Sequence, residues 1–167
     1  MTDGCHTVTT DPSQLSLDEL RDLRSRLQAE DDVVSYVRRV AQARLDLVRA
    51  EQHLRERGEG HDDLPTELRV VLSQQLTGGP PRPPRPNPDL DDAPLVDELD
   101  ALCAQHGFSR ISELTAGELS DLETELAGFE QRVSGDRRAR FEQLDALSAE
   151  LVRRYRDGEA SVDGLLE

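Results

Sequence analysis

The sequence predicts an all-α protein, an antiparallel helical hairpin (coiled coil) of two long helices with short accessory helices and a Pro-rich linker. Three observations lead there. Of 167 residues only 35% are apolar and 3% aromatic, with no Trp. That is too few for a large globular core, yet enough for helices that each bury one narrow stripe. Leu and Val recur at threes and fours in two long stretches, the period of an amphipathic helix. Two such stripes in one chain find shelter most simply against each other, as in a hairpin.

Taken in order, residues 1–14 are polar, hold Pro12 and lack periodicity, so they are expected to be a disordered N-terminus. A capping box, Ser16 with Glu19, precedes Leu17, Leu20, Leu23 and Leu27. The first long helical segment, 15–57, continues through Val33, Val37, Val40, Leu47 and Leu54 until Gly58 and Gly60 stop it. Asp31 or Asp32 as an N-cap would break it near residues 28–32. An insertion follows, 58–113. Leu64 to Leu76 reads as a short helix with Pro65 in its first turn. The run GGPPRPPRPNPD, 78–89, is a polyproline-like linker. Pro94 to Gln105 reads as a second short helix closed by Gly107. Thr115 with Glu118 caps the second long segment, 114–157, which Asp157-Gly158 ends before a tail, 158–167.

Thirty-five acids against twenty bases, every base an Arg, give a net charge of −15. Duplex DNA binding draws most of its non-specific affinity from phosphate neutralisation, so direct DNA binding is not expected. The charge suits a basic partner instead. Two cysteines make no disulfide framework, the first residues lack the regions of a signal peptide, and no apolar run is long enough to span a membrane. A cytoplasmic protein is expected. No P-loop, G-x-S-x-G, Rossmann or H-E-x-x-H pattern occurs, and four scattered histidines lack metal-ligand spacing. The reading is therefore not an enzyme, with no catalytic residue and no metal. Cys5-His6 reads as incidental and Cys103 as a small core residue.

The informative feature is an internal repeat. Shifting the chain by 99 residues aligns Leu15–Glu51 with Leu114–Glu150 without a gap, and 14 of 37 positions are identical. Shared leucines alone prove little. The polar identities Ser35/Ser134, Arg38/Arg137, Arg39/Arg138 and Asp46/Asp145 say more, with Asp31 opposite Glu130 and Gln42 opposite Phe141. At ~100° per residue, positions 31, 35, 38, 42 and 46 fall on one arc of roughly 80°. They continue the seam of Leu20, Leu23 and Leu27 with polar residues, while Val33, Val37, Val40 and Val48 turn to a neighbouring face. Solvent exposure asks only for polarity and does not hold Ser, Arg and Asp at matching places in two copies. Salt bridges between the stripes account for Arg and Asp alone. Two antiparallel copies make a pseudo-twofold surface suited to a twofold ligand. Arg can fork onto guanine O6/N7 or phosphate, Asp accepts from guanine N1–H and N2–H₂, and Ser and Gln suit phosphate or ribose oxygens. A symmetric guanine dinucleotide fits that inventory.

Asp31-x₃-Ser35-x₂-Arg38-x₃-Gln42-x₃-Asp46 resembles the E-x₃-S-x₂-R-x₃-Q-x₃-D signature of RsiG-type anti-sigma factors of actinobacteria. Glu130-x₃-Ser134-x₂-Arg137-x₃-Phe141-x₃-Asp145 resembles a second copy. The resemblance implies an antiparallel hairpin whose two signatures bind cyclic di-GMP as a dimer. It implies, too, that the loaded protein withholds a WhiG-type sporulation sigma factor from RNA polymerase. By position, Arg38, Asp46, Arg137 and Asp145 would recognise guanines. Asp31, Ser35, Gln42, Glu130 and Ser134 would contact phosphates or position the arginines. Two departures stand out: Asp31 is one methylene shorter than Glu, and Phe141 removes a hydrogen-bonding group where it could stack on a base. The competing reading is a helical-hairpin adaptor or scaffold with no nucleotide ligand.

Overall fold

The structure, a computed structural model, describes residues 11–58 and 93–158. They form three α-helices, α1 (Leu17–Glu56), α2 (Pro94–Gln105) and α3 (Ala116–Arg156), with 3-10 turns at Pro12–Gln14 and Phe108–Glu113. No strand occurs among the described residues. The expected helix over 64–76, the Pro-rich linker 78–89 and most of the tail lie outside them.

Both long helices start as their sequences direct. The Ser16 amide donates to Glu19 Oε2 at 2.7 Å, and the Glu19 amide donates to Ser16 Oγ at 3.3 Å. Thr115 and Glu118 repeat the same reciprocal pair at 2.7 and 3.3 Å. Helix α1 runs unbroken through residues 28–32, where a break was allowed. That stretch contains neither Gly nor Pro, and Asp31 is buried instead of capping. The disordered N-terminus needs one correction. Pro12–Gln14 is an ordered turn, because Pro12 sets φ and the Asp11 carboxylate accepts from the Ser13 amide at 3.0 Å. Helix α2 ends at Gly107, whose φ of +71° suits a residue without a side chain. A Cβ there would sit 3.1 Å from Leu114.

The chain divides into two compact units. In the unit Asp32–Arg137, the contacts Ser35–Arg137, Gln42–Glu130 and Arg49–Glu123 climb one helix as they descend the other, so α1 and α3 run antiparallel. Its core joins Val34, Val37, Ala41, Leu45 and Val48 of α1 to Leu119, Leu122, Leu126, Phe129 and Val133 of α3, with Leu99 and Cys103 of α2. Arg44 ties α2 to α1, donating to Asp100 at 2.7 Å and to Cys103 Sγ at 3.2 Å. Cys103 is thus a core residue, and burial pushes its thiol above the usual range. In the unit Met1–Asp31 with Arg138–Glu167, Leu20 packs with Leu147 and Leu151. Here too the helices are antiparallel, with Arg21 donating to the Tyr155 hydroxyl at 2.6 Å and Arg140 pairing with Glu30 at 3.5 Å.

The repeat extends into a feature not read from the sequence. Arg55 donates to the carbonyls of Ile111, Ser112 and Leu114, the turn that opens α3. Arg154, 99 residues later, donates to those of Pro12 and Ser13, the turn that opens α1. Glu51 and Glu150 hold these arginines at 2.7 Å each. Arg55→Ala should therefore cost about 2 kcal/mol or more, because several charge-assisted bonds go and the buried Glu51 carboxylate loses a cation. A lower urea midpoint with normal helicity is the expected readout.

Glu150 adds a pH dependence. Hydrogen bonds from Arg153 and then Arg154 hold its carboxyl down from 4.5 to about 2. A depressed carboxyl lends stability that is complete above its unfolded value and is lost as pH falls through the folded one. Thermal unfolding should therefore move down between about pH 5 and pH 2, and by less in Glu150→Gln.

Candidate functional site

Four of the five polar positions of α1 each follow a core residue: Ser35 after Val34, Arg38 after Val37, Gln42 after Ala41, Asp46 after Leu45. One residue is a turn of ~100°, so the polar row stands beside the apolar seam and half-buried, rather than replacing it. This revises the expectation that polar residues take over the leucine seam.

Within the unit Asp32–Arg137 the two rows meet. Arg137 Nε donates to Ser35 Oγ at 2.8 Å. Glu130 Oε1 accepts from Gln42 Nε2 at 3.0 Å and from Ser134 Oγ at 2.8 Å, and Arg38 Nη1 lies 3.6 Å away. One carboxylate thus gathers a residue of its own helix and two of the facing one. Arg38 Nε is enclosed and has no hydrogen-bond partner among the described residues. Next to this knot lies a cleft of about 290 Å³ lined by Gln42, Leu45, Asp46, Arg49, Ala127 and Glu130.

Seven of the ten residues singled out in the sequence therefore belong to this unit: Ser35, Arg38, Gln42, Asp46, Glu130, Ser134 and Arg137. Five join the cross-helix contacts, Ser134 bonds Glu130 within α3, and Asp46 lines the cleft with Gln42 and Glu130. Asp31, Phe141 and Asp145 fall in the other unit. There Asp31 is 1% exposed, Phe141 is 38% exposed, and Asp145 is exposed. Such deep burial of a carboxylate residue is unusual on a helix flank.

The arrangement offers two guanidinium groups held in place by side chains of the facing helix, Arg137 by Ser35 and Arg38 by Glu130. Asp46 adds a carboxylate acceptor at the cleft wall. Forks of this kind match phosphate or a guanine edge. Sequence reasoning missed Arg49, which also lines the cleft and pairs with Glu123 at 2.8 Å. Its helical phase was there to be read, but its repeat partner is Ser148, so the comparison of halves passed over it. No cluster of His, Cys, Asp and Glu able to hold a metal occurs among the described residues. None of their helices is long and apolar enough to cross a membrane.

No curated protein matches the chain. The model of the RsiG-like family matches residues 7–72, a span that contains all of α1 with the first polar row. Over that span the chain is similar to the RsiG-like family.

Proposed function

We propose that this protein is a non-enzymatic, cytoplasmic anti-sigma factor whose paired polar rows bind cyclic di-GMP, and that the loaded form sequesters a WhiG-type sigma factor. The observation that carries the reading is the convergence of Ser35 with Arg137, and of Arg38, Gln42 and Ser134 with Glu130, beside an open cleft. The RsiG-like match supports the anti-sigma role. A cleft of this volume is at the lower limit of ligand pockets, about 300–1,000 Å³. It suits one guanine end of the messenger, with the rest lying along the polar row. Arg38 and Arg137 meet phosphates or guanine edges, and Asp46 accepts from guanine N–H groups. Ser35, Gln42, Glu130 and Ser134 orient the arginines or contact phosphate.

Cyclic di-GMP carries two negative charges, and a dimer four. In a chain of net charge −15 those charges need local arginines, which the rows supply. Bound ligand would fix one arrangement of the long helices and present an acidic surface to the basic, DNA-contacting parts of a sigma factor. Linkage then requires ligand and sigma factor to raise each other's affinity by the same factor. Titration calorimetry with cyclic di-GMP, cyclic di-AMP and GTP, alone and with the sigma factor, tests this. Selective binding of cyclic di-GMP that tightens sigma capture is expected. Sigma affinity indifferent to the nucleotide overturns the coupling.

One observation favours a second reading. The knot at Glu130 satisfies polar groups across the helices by itself, as a structural seam in an adaptor would. In that case Arg38→Ala and Arg137→Ala leave partner capture intact.

A further inference from the structure

Arg49 follows Asp31 by eighteen residues, five full turns at ~100° each residue, and so lies within the arc held by Ser35, Arg38, Gln42 and Asp46. It lines the cleft beside Gln42, Asp46 and Glu130, and among the described residues it is the cation that does so. The two carboxylates there would repel a phosphodiester, so an anionic ligand entering this cleft needs a positive group at its wall. Arg49 is 48% exposed and held at 2.8 Å by Glu123 of α3. An ion pair this exposed is weak and readily exchanged for another anion. Its repeat counterpart is Ser148, so the feature belongs to one half alone and lies outside the duplicated signature.

Resting on the nucleotide reading above, we infer that Arg49 is a phosphate-binding arm of this cleft. On ligand entry it leaves Glu123 and places its guanidinium fork on a phosphodiester oxygen. Glu123 holds the arm near the cleft mouth in the free chain and competes with the ligand for it. Hydrogen bonding from Arg49 is the leading cause that keeps the Glu123 carboxyl below the usual range, against the opposing effect of burial.

Calorimetric titration of the full chain with cyclic di-GMP, comparing wild type with Arg49→Ala, Arg49→Lys and Glu123→Gln, tests the assignment. Arg49→Ala should weaken binding about tenfold, with helicity unchanged by circular dichroism. Arg49→Lys should retain most of the affinity, since a phosphate accepts a point charge. Glu123→Gln should tighten binding, because the competing anion is gone. Arg49→Ala binding like wild type overturns the inference alone. So does Glu123→Gln weakening binding as much as Arg49→Ala, which marks the pair as a tie between helices. Arg49→Lys as weak as Arg49→Ala moves the contact from phosphate to a guanine edge and overturns it equally. Wild type that binds no cyclic di-GMP, with or without the sigma factor, brings down the nucleotide reading itself.

Discussion

Arg137→Ala and Arg38→Ala should each lower affinity for cyclic di-GMP about 100-fold or more, with the helical signal of the protein unchanged. The expectation follows from where the two side chains stand. Each is half-buried on the flank of the apolar seam, so neither contributes much to packing. Each is held across the helix pair, Arg137 by Ser35 and Arg38 toward Glu130. Removing a guanidinium that meets an anion takes away a charge-assisted fork, the strongest polar contact a side chain offers. Ser35→Ala should cost far less, a few-fold, since Arg137 keeps its charge and loses only its tether. That ordering separates contact from positioning. If wild type binds no cyclic di-GMP and both arginine variants capture the sigma factor as wild type does, the adaptor reading replaces the nucleotide one.

Leu122→Ala should destabilise the unit Asp32–Arg137 by about 2–5 kcal/mol, read as a lower urea midpoint. Leu122 is fully buried among Val48, Leu119 and Leu126 and their neighbours. Deleting three carbons there loses their transfer energy and leaves a cavity that stiff helices close poorly. The size of the effect reflects the composition: a chain with so few apolar residues has few other contacts to share the loss. The exposed Val152 provides the contrast, since its truncation should change stability by no more than about 0.5 kcal/mol.

Much of the fold was legible because its signals are local. The Ser16/Glu19 and Thr115/Glu118 boxes mark both starts, and both form. Pro94 to Gln105 is read to the residue, since a proline in the first turn and Gly107 after the end are direct backbone signals. What escaped depends on partners distant in sequence. Nothing in the string HLRER reveals that Arg55 reaches carbonyls near position 112. Equally, the order at Pro12–Gln14 depends on a turn that composition alone averages away. In the candidate site the repeat drew attention to Ser, Arg and Asp because they occur twice. By the same filter it hid Arg49, which occurs once. Phase along the helix would have found it. The sequence also placed the polar row in the seam when it stands beside it, an offset of one residue that a stripe argument at ~100° resolution does not separate well.

The Glu51–Arg55 and Glu150–Arg154 clasps carry a consequence for how such a chain came to be built. Each clasp fastens the far end of one half to the opening turn of the other, so neither half owns a complete set of contacts. A gene encoding a single half would make a polypeptide whose terminal arginine finds its carbonyls only on a second, identical molecule. Duplication and fusion would then bring both partners of each clasp into one polypeptide, and would free each half to differ, as the halves do at Gln42/Phe141 and Arg49/Ser148.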